Sequence, residues 1–104
     1  MIEEIELKKI SSVATITINR PQKRNAINYD GWLELQRLAN AVDQDKDIKV
    51  VILQGSGQDA FSSGADIADF DNYRSNSEKA IIYAKAFEGA MNAIEAISKP
   101  TISS

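Results

Sequence analysis

A chain of 104 residues makes one small domain or part of a larger one, and folding hides about 65% of the surface that such a chain exposes when unfolded. Hydrophobic content of 43%, charged content of 26% and a net charge of −3 suit a soluble globular chain and argue against non-specific nucleic-acid binding, and no apolar run approaches the ~20 residues needed to span a bilayer. With neither cysteine nor histidine, the chain cannot build disulfides, thiolate nucleophiles, imidazole bases, the common zinc sites or a Ser-His-Asp triad.

The acidic start Met1-Ile2-Glu3-Glu4 resembles no secretory or transit peptide, and together with the lack of cysteine it leads to an expected cytoplasmic location. Ile2 to Ile10 is predicted as a strand with Ile5 and Leu7 on one face. Ser11-Ser12 turns it into a second strand, Val13 to Ile18, with Ala14, Ile16 and Ile18 on one face, and so close a connection predicts antiparallel pairing. Asn19-Arg20-Pro21 ends the pair, because Pro21 lacks an N–H and biases Arg20 away from helix.

Tyr29 to Asp43 is predicted as a helix capped by Asn28, with Trp32, Leu35, Leu38, Ala39 and Val42 on one stripe. Gly31 near its start is expected to cost ~1 kcal/mol relative to alanine. Val50 to Gln54 is a short, continuously apolar strand of the kind found in sheets covered on both faces. Gly55-Ser56-Gly57 breaks it, and a loop is expected from Gln58 to Arg74. Ser75-Asn76-Ser77-Glu78 has the form of a capping box and predicts a long helix to about Ser98. Its apolar residues Ile81, Ala84, Phe87, Met91, Ile94 and Ile97 cover more than half its circumference, so it is expected to be deeply buried or covered by a partner. Lys99 to Ser104 looks like the start of another strand, and a truncation there is the expectation.

Within the long loop, Phe61-Ser62-Ser63-Gly64-Ala65-Asp66-Ile67 sets small residues around a glycine. A ligand can approach such a backbone closely and meet main-chain N–H groups, which stabilise the oxyanion of an acyl compound. The competing reading is a plain turn at Gly64 with Asp66 capping a short helix from Ile67. Ser62 and Ser63 have no activating base. Gly55-Ser56-Gly57 is not a phosphate loop, and Asp43, Asp45 and Asp47 lack the glycine and glutamate of a calcium loop. No metal site is expected.

Five segments stand in an informative order: Asn19-Arg20-Pro21; Lys23-Arg24-Asn25-Ala26-Ile27; Val50-Val51-Ile52-Leu53 leading to Gly55-Ser56-Gly57; Ala60 through Ile67; and Lys99-Pro100-Thr101-Ile102. In order and spacing they resemble the N-terminal part of the crotonase superfamily, the enoyl-CoA hydratase/isomerase family. The resemblance spans almost the whole chain but less than half of a typical member. It implies an α/β fold, a crotonase-like spiral of strand-strand-helix repeats. Residues 1–104 would be the N-terminal portion of that domain, ending after the Lys-Pro-Thr motif.

The resemblance also implies an acyl-CoA substrate whose thioester oxygen sits in a two-donor oxyanion hole, with the Ala65 N–H as the first donor. Lys23, Arg24 and Ala26 fall in the segment that runs beside CoA in the family, with backbone contacts favoured at Arg24 and Ala26; a solvated basic loop is the alternative. Ser63, Gly64, Asp66, Ile67 and Phe70 would lie at the thioester and acyl end, with core packing the alternative for Ile67 and Phe70. Ala68 departs from the longer, often charged residue of many relatives. No cofactor is implied beyond the coenzyme A of the substrate, and a homo-oligomer is implied.

The family's second oxyanion donor and its two proton-transferring glutamates lie beyond the Lys-Pro-Thr motif. The leading expectation is therefore a parent that hydrates 2-enoyl-CoA, with the 104-residue chain inactive by itself. Another family reaction (isomerase, dehalogenase, decarboxylase, ring cleavage or thioester hydrolysis) and a non-catalytic acyl-CoA-binding or assembly module remain open.

Overall fold

The computed structural model describes residues 4–57, 62 and 64–103. Ile2 and Glu3 of the predicted first strand, and Ala60, Phe61 and Ser63 of the predicted ligand loop, lie outside them. Strand β1 (Ile5–Ile10) pairs antiparallel with β2 (Val13–Ile18), from Ile5 opposite Ile18 to Ile10 opposite Val13. Ser11 makes the turn in the left-handed region, with φ of 54°. The alternation in β2 falls as predicted, with Ala14, Ile16 and Ile18 fully buried. In β1 only Ile5 is buried, and Leu7, expected beside it, is exposed.

Helix α1 (Tyr29–Gln44) starts where Asn28 lends its side-chain oxygen to the Gly31 N–H at 2.9 Å. Its predicted stripe is the buried one: Trp32, Leu35, Leu38, Ala39 and Val42 lie against the sheet and its neighbouring helix. Strand β3 (Val50–Gly55) runs parallel to β2 and places Val51 beside Ala14 and Leu53 beside Ile16. Its continuous apolar run suggested cover on both faces. Val50 and Ile52 are instead only half-buried, because the buried partners of β3 lie on the side of Val51 and Leu53.

The chain from Gln58 to Arg74 is not all loop. It closes in helix α2 (Ile67–Arg74), capped by Asp66. Helix α3 (Ser77–Glu95) follows almost directly, and its cap is Asn76 rather than Ser75. The Asn76 side-chain oxygen accepts from Glu78 N at 2.9 Å and Lys79 N at 3.1 Å. Ser75 is occupied as the closing residue of α2, which leaves the capping position to its neighbour.

The helix ends at Glu95, three residues before the predicted end. Its buried stripe is Tyr83, Ala86, Ala90 and Ala93, continued by Ile97, while Ile81, Ile82 and Phe87 are exposed. Small side chains let α3 lie close along α1, and that contact buries the alanine face, leaving part of the broad apolar surface expected on this helix uncovered. Two ties lock the exit of α3 to the end of α1. Asp43 accepts from the Ser98 N–H at 2.8 Å, and the Lys99 ammonium donates to the carbonyls of Val42 and Asp45. Strand β4 (Thr101–Ser103) then pairs parallel with β3, so the sheet order is β1-β2-β3-β4. No helix among the described residues is long and apolar enough to cross a membrane.

Candidate functional site

Two chain segments meet beyond the C-terminal ends of β2 and β3. The first begins with a 3₁₀ turn, Pro21–Lys23, followed by Arg24 and Asn25 at φ of 54° and 59°. Asparagine tolerates this left-handed region better than most residues. Asn25 is also fully buried and tightly held. Its side-chain oxygen accepts from Arg20 N at 2.9 Å and its amide donates to the Ser56 carbonyl at 3.1 Å. The turn thereby delivers Ala26 and Ile27 to a fixed place.

The second segment comprises Ser62 and Gly64 to Asp66. Gly64 has φ of 109°, where a side chain would be strained, although the space around its missing Cβ is open. Ser62 braces the bend: its hydroxyl donates to the Asn25 carbonyl at 2.6 Å and accepts from Gly64 N at 3.0 Å. This hydroxyl spans two loops, and among the described residues no side-chain base contacts it.

Ile27 and Ala65 form a single parallel bridge. Ile27 N donates to the Gly64 carbonyl at 2.8 Å, and Asp66 N donates to the Ile27 carbonyl at 2.9 Å. In a parallel ladder these bonds use the groups flanking Ala65, so the N–H of Ala65 points away from Ile27. Among the described residues that N–H meets no acceptor. Ala65 is also part of the wall of an apolar cavity of about 310 Å³, shared with Phe70, Ala80, Tyr83, Ala84 and Phe87. An uncommitted donor beside apolar walls is the arrangement that stabilises a charge developing on oxygen.

Aromatic contacts shape the cavity. Phe70 and Tyr83 meet edge to face with ring centroids 5.1 Å apart, and the Trp32 indole N–H donates to the Tyr83 hydroxyl at 2.9 Å. Burial pushes the Tyr83 hydroxyl above the usual tyrosine value, against a smaller opposing effect of that indole bond, so the phenol stays neutral at ordinary pH.

Behind Ala65 sits a buried ion cluster. The Arg20 side chain is 10% exposed. It donates from Nη1 to the Ala26 carbonyl at 2.6 Å and from Nη2 to Asp66 Oδ2 at 3.2 Å. Its Nε lies 3.3 Å from Glu4 Oε2 as an ion-pair contact that lacks hydrogen-bond alignment. The other Asp66 oxygen accepts from Asp69 N at 3.2 Å as the cap of α2. Burial raises the Asp66 carboxyl, but the Asp69 N–H, the Arg20 guanidinium and the Lys23 charge outweigh it and hold the group below the usual carboxylate range.

The residues singled out by sequence are therefore distributed as follows. Gly64 and Ala65 form the bend and the bridge, and Phe70 lines the cavity. Asp66 turns its carboxylate to Arg20 and to the α2 cap, and Ile67 is 72% exposed. Ala26 is buried, while Lys23 and Arg24 are exposed and pair with no described carboxylate. Ser63 lies outside the described residues. Sequence reasoning missed Arg20, whose partners lie 16 positions before it (Glu4) and 46 after it (Asp66). It also missed Tyr83, which lies on the buried stripe of α3 but was not among the apolar residues picked out on that helix. Among the described residues no group of three or more acidic side chains could hold a metal ion.

The sequence profile of the enoyl-CoA hydratase/isomerase family matches residues 8–104. Crotonyl-CoA hydratase from Syntrophomonas wolfei subsp. wolfei is 36% identical over 100 residues, covering 96% of this chain and 38% of its own length. The peroxisomal Delta(3,5)-Delta(2,4)-dienoyl-CoA isomerase of Arabidopsis thaliana is 32% identical over 111 residues, covering 97% of this chain and 40% of its own. Among solved structures, an enoyl-CoA hydratase/carnithine racemase from Magnetospirillum magneticum matches with a TM-score of 0.88 at 37% identity, over 97% of this chain and 38% of that one. The fold is thus the N-terminal part of a crotonase-like structure. This chain belongs to the enoyl-CoA hydratase/isomerase family, and it spans 38–40% of the length of these relatives.

Proposed function

We propose that this chain supplies the first oxyanion donor and part of the CoA groove of an enzyme acting on enoyl-CoA thioesters, with hydration of a 2-enoyl-CoA as its reaction. The observation that supports the reading best is the Ala65 N–H, left uncommitted by the Ile27 bridge at the wall of an apolar cavity. A thioester oxygen placed there gains negative charge as water adds to C3, and a fixed donor at ~2.9 Å stabilises the enolate. Water's oxygen bonds to C3 as one of its protons passes to a carboxylate base, the C2–C3 π pair moves into the enolate, and a proton is delivered to C2 as the enolate collapses to the thioester.

In this reading Lys23, Arg24 and Ala26 lie along the CoA moiety, with the two cations suited to its phosphates. Ser63, Gly64, Ala65, Asp66 and Ile67 belong to the thioester end. The second donor and the proton-transferring carboxylates are assigned to sequence beyond Ser104, so the 104 residues alone are expected to be inactive. Coenzyme A enters as part of the substrate, no other cofactor is invoked, and the enzyme is proposed to be a cytoplasmic homo-oligomer. A second reading, double-bond isomerisation, draws on the similarity to the Arabidopsis dienoyl-CoA isomerase; it uses the same enolate but returns the proton to a different carbon.

The test is hydration of crotonyl-CoA by the complete reading frame, followed as loss of the conjugated thioester. Incorporating lactic acid at position 65, which replaces the amide by an ester, is expected to lower kcat about 10²–10³-fold and to change KM little. An unaltered kcat would remove Ala65 from the oxyanion hole. Migration of the double bond without hydration would favour the isomerase reading.

A further inference from the structure

We propose that Arg20 is a positioning residue for the oxyanion donor, holding the Ala65 N–H on target by clamping both sides of the Ile27–Ala65 bridge. The inference rests on the reading of Ala65 given above but concerns a residue that never faces the cavity. Arg20 grips Ala26, the residue before Ile27, through its carbonyl at 2.6 Å. It grips Asp66, the residue after Ala65, through its carboxylate at 3.2 Å. The bridge lies between these two grips, with its own bonds at 2.8 and 2.9 Å. Glu4, at the entrance to β1, approaches the third side of the guanidinium at 3.3 Å.

The geometry calls for arginine. A planar fork reaches acceptors in separate directions, whereas a lysine ammonium is a single point at the end of a flexible stem. The backbone N–H of Arg20 is also fixed, by Asn25 Oδ1 at 2.9 Å, so the base of the fork belongs to the same turn. Asp66 binds Asp69 N through its other oxygen. One carboxylate thereby joins the Arg20 clamp to the start of α2, whose residue Phe70 lines the cavity. A shift in Asp66 moves the donor and one cavity wall together.

The experiment uses the complete protein with Arg20→Met, Arg20→Lys and Asp66→Asn. Four quantities are read for each: kcat and KM for crotonyl-CoA, affinity for free CoA by calorimetry, and amide hydrogen exchange at the Ile27–Ala65 bridge, followed at Ile27 and Asp66. For Arg20→Met the expected result is a kcat reduced by up to about 10²-fold, the scale of a misplacement near 1 Å. CoA affinity should stay near the parent value, and exchange at Ile27 and Asp66 should rise about tenfold or more while Val51 and Leu53 stay protected. Arg20→Lys should recover only part of kcat. The Arg20→Met/Asp66→Asn pair should cost less than the sum of the two changes, because both break one unit.

A folded Arg20→Met protein with unchanged kcat, or with unchanged exchange at the bridge, overturns the inference. Should Arg20→Met fail to fold, Asp66→Asn, which keeps a capping oxygen, decides in its place: parental kcat in that variant overturns it. If the parent protein transforms no enoyl-CoA, the functional reading fails separately, and exchange at Ile27 and Asp66 alone decides whether Arg20 holds the bridge.

Discussion

At the scale of single residues, one buried charge pair, Arg20 with Asp66, lies directly behind the bridge that carries Ala65. Asp66 has its pKa held below the ordinary carboxylate value in the folded chain. The unfolded chain therefore binds the proton more readily, and stability contributed by this group is full above about pH 4 and is lost as pH falls through the folded value. Asp43, held down chiefly by the Ser98 N–H, shares the same acid window. Asp66→Asn is expected to lower the melting temperature at neutral pH and to flatten its fall below about pH 4, as thermal denaturation against pH would record. A parallel curve in the variant would show that the pair contributes no linkage. The bend was legible in sequence because Gly64 marks a conformation that other residues avoid. Arg20 was not, because an arginine becomes a clamp only when chain far from it folds back with a carboxylate.

At the scale of elements, two glycines make the point that propensity alone does not rank substitutions. Both Gly31 and Gly89 sit in helices, where alanine is intrinsically better by ~1 kcal/mol. A Cβ on Gly31 would stand 2.8 Å from the Ile27 Cγ2 and 3.1 Å from the capping oxygen of Asn28. A Cβ on Gly89 would meet only the end of the Gln36 side chain, which can swing away. Gly31→Ala is therefore expected to destabilise by about 1–3 kcal/mol and Gly89→Ala to stabilise by about 0.5–1 kcal/mol, both measurable by urea denaturation. Equal shifts of one sign would contradict the packing argument. The expected cost of Gly31 was thus misjudged from sequence, since its crowding arises from Ile27 at the bridge. β2 and α1 were legible because their periodicity is strong, and β3 because its apolar run stops at Gly55-Ser56-Gly57, although that run misled as to its cover. The α3 cap and stripe were not, since Ser75 and Asn76 are equally plausible caps until α2 claims one of them.

At the scale of the molecule, apolar side chains remain outside. Ile81, Ile82 and Phe87 on α3, Ile67 on α2 and Ile102 on β4 are all exposed. Val50 and Ile52 on the far face of β3 are half-buried. Apolar surface of this kind associates, and an edge strand such as β4 offers unpaired backbone groups. The 104-residue chain is expected to self-associate, with a sedimentation-average mass that rises with concentration. Ile81→Lys with Ile82→Lys, both at solvent-facing positions, should shift that rise to higher concentration without loss of helix. A monomer at all concentrations in the parent chain would refute it. The sequence did announce excess apolar surface on the last helix, but which side it faced depended on the fit of Ala86, Ala90 and Ala93 against α1.

The Arg20 cluster has a consequence for the order in which the protein is made on the ribosome. Its partners Glu4, Ala26 and Asp66 all precede α3 in the chain, as do both halves of the Ile27–Ala65 bridge. The wall of the cavity, by contrast, needs Ala80, Tyr83, Ala84 and Phe87. At about 5–20 residues per second, the chain from Asp66 to Phe87 takes one to several seconds to emerge. Every group of the donor's frame has therefore been made before the residues of α3 that complete the cavity.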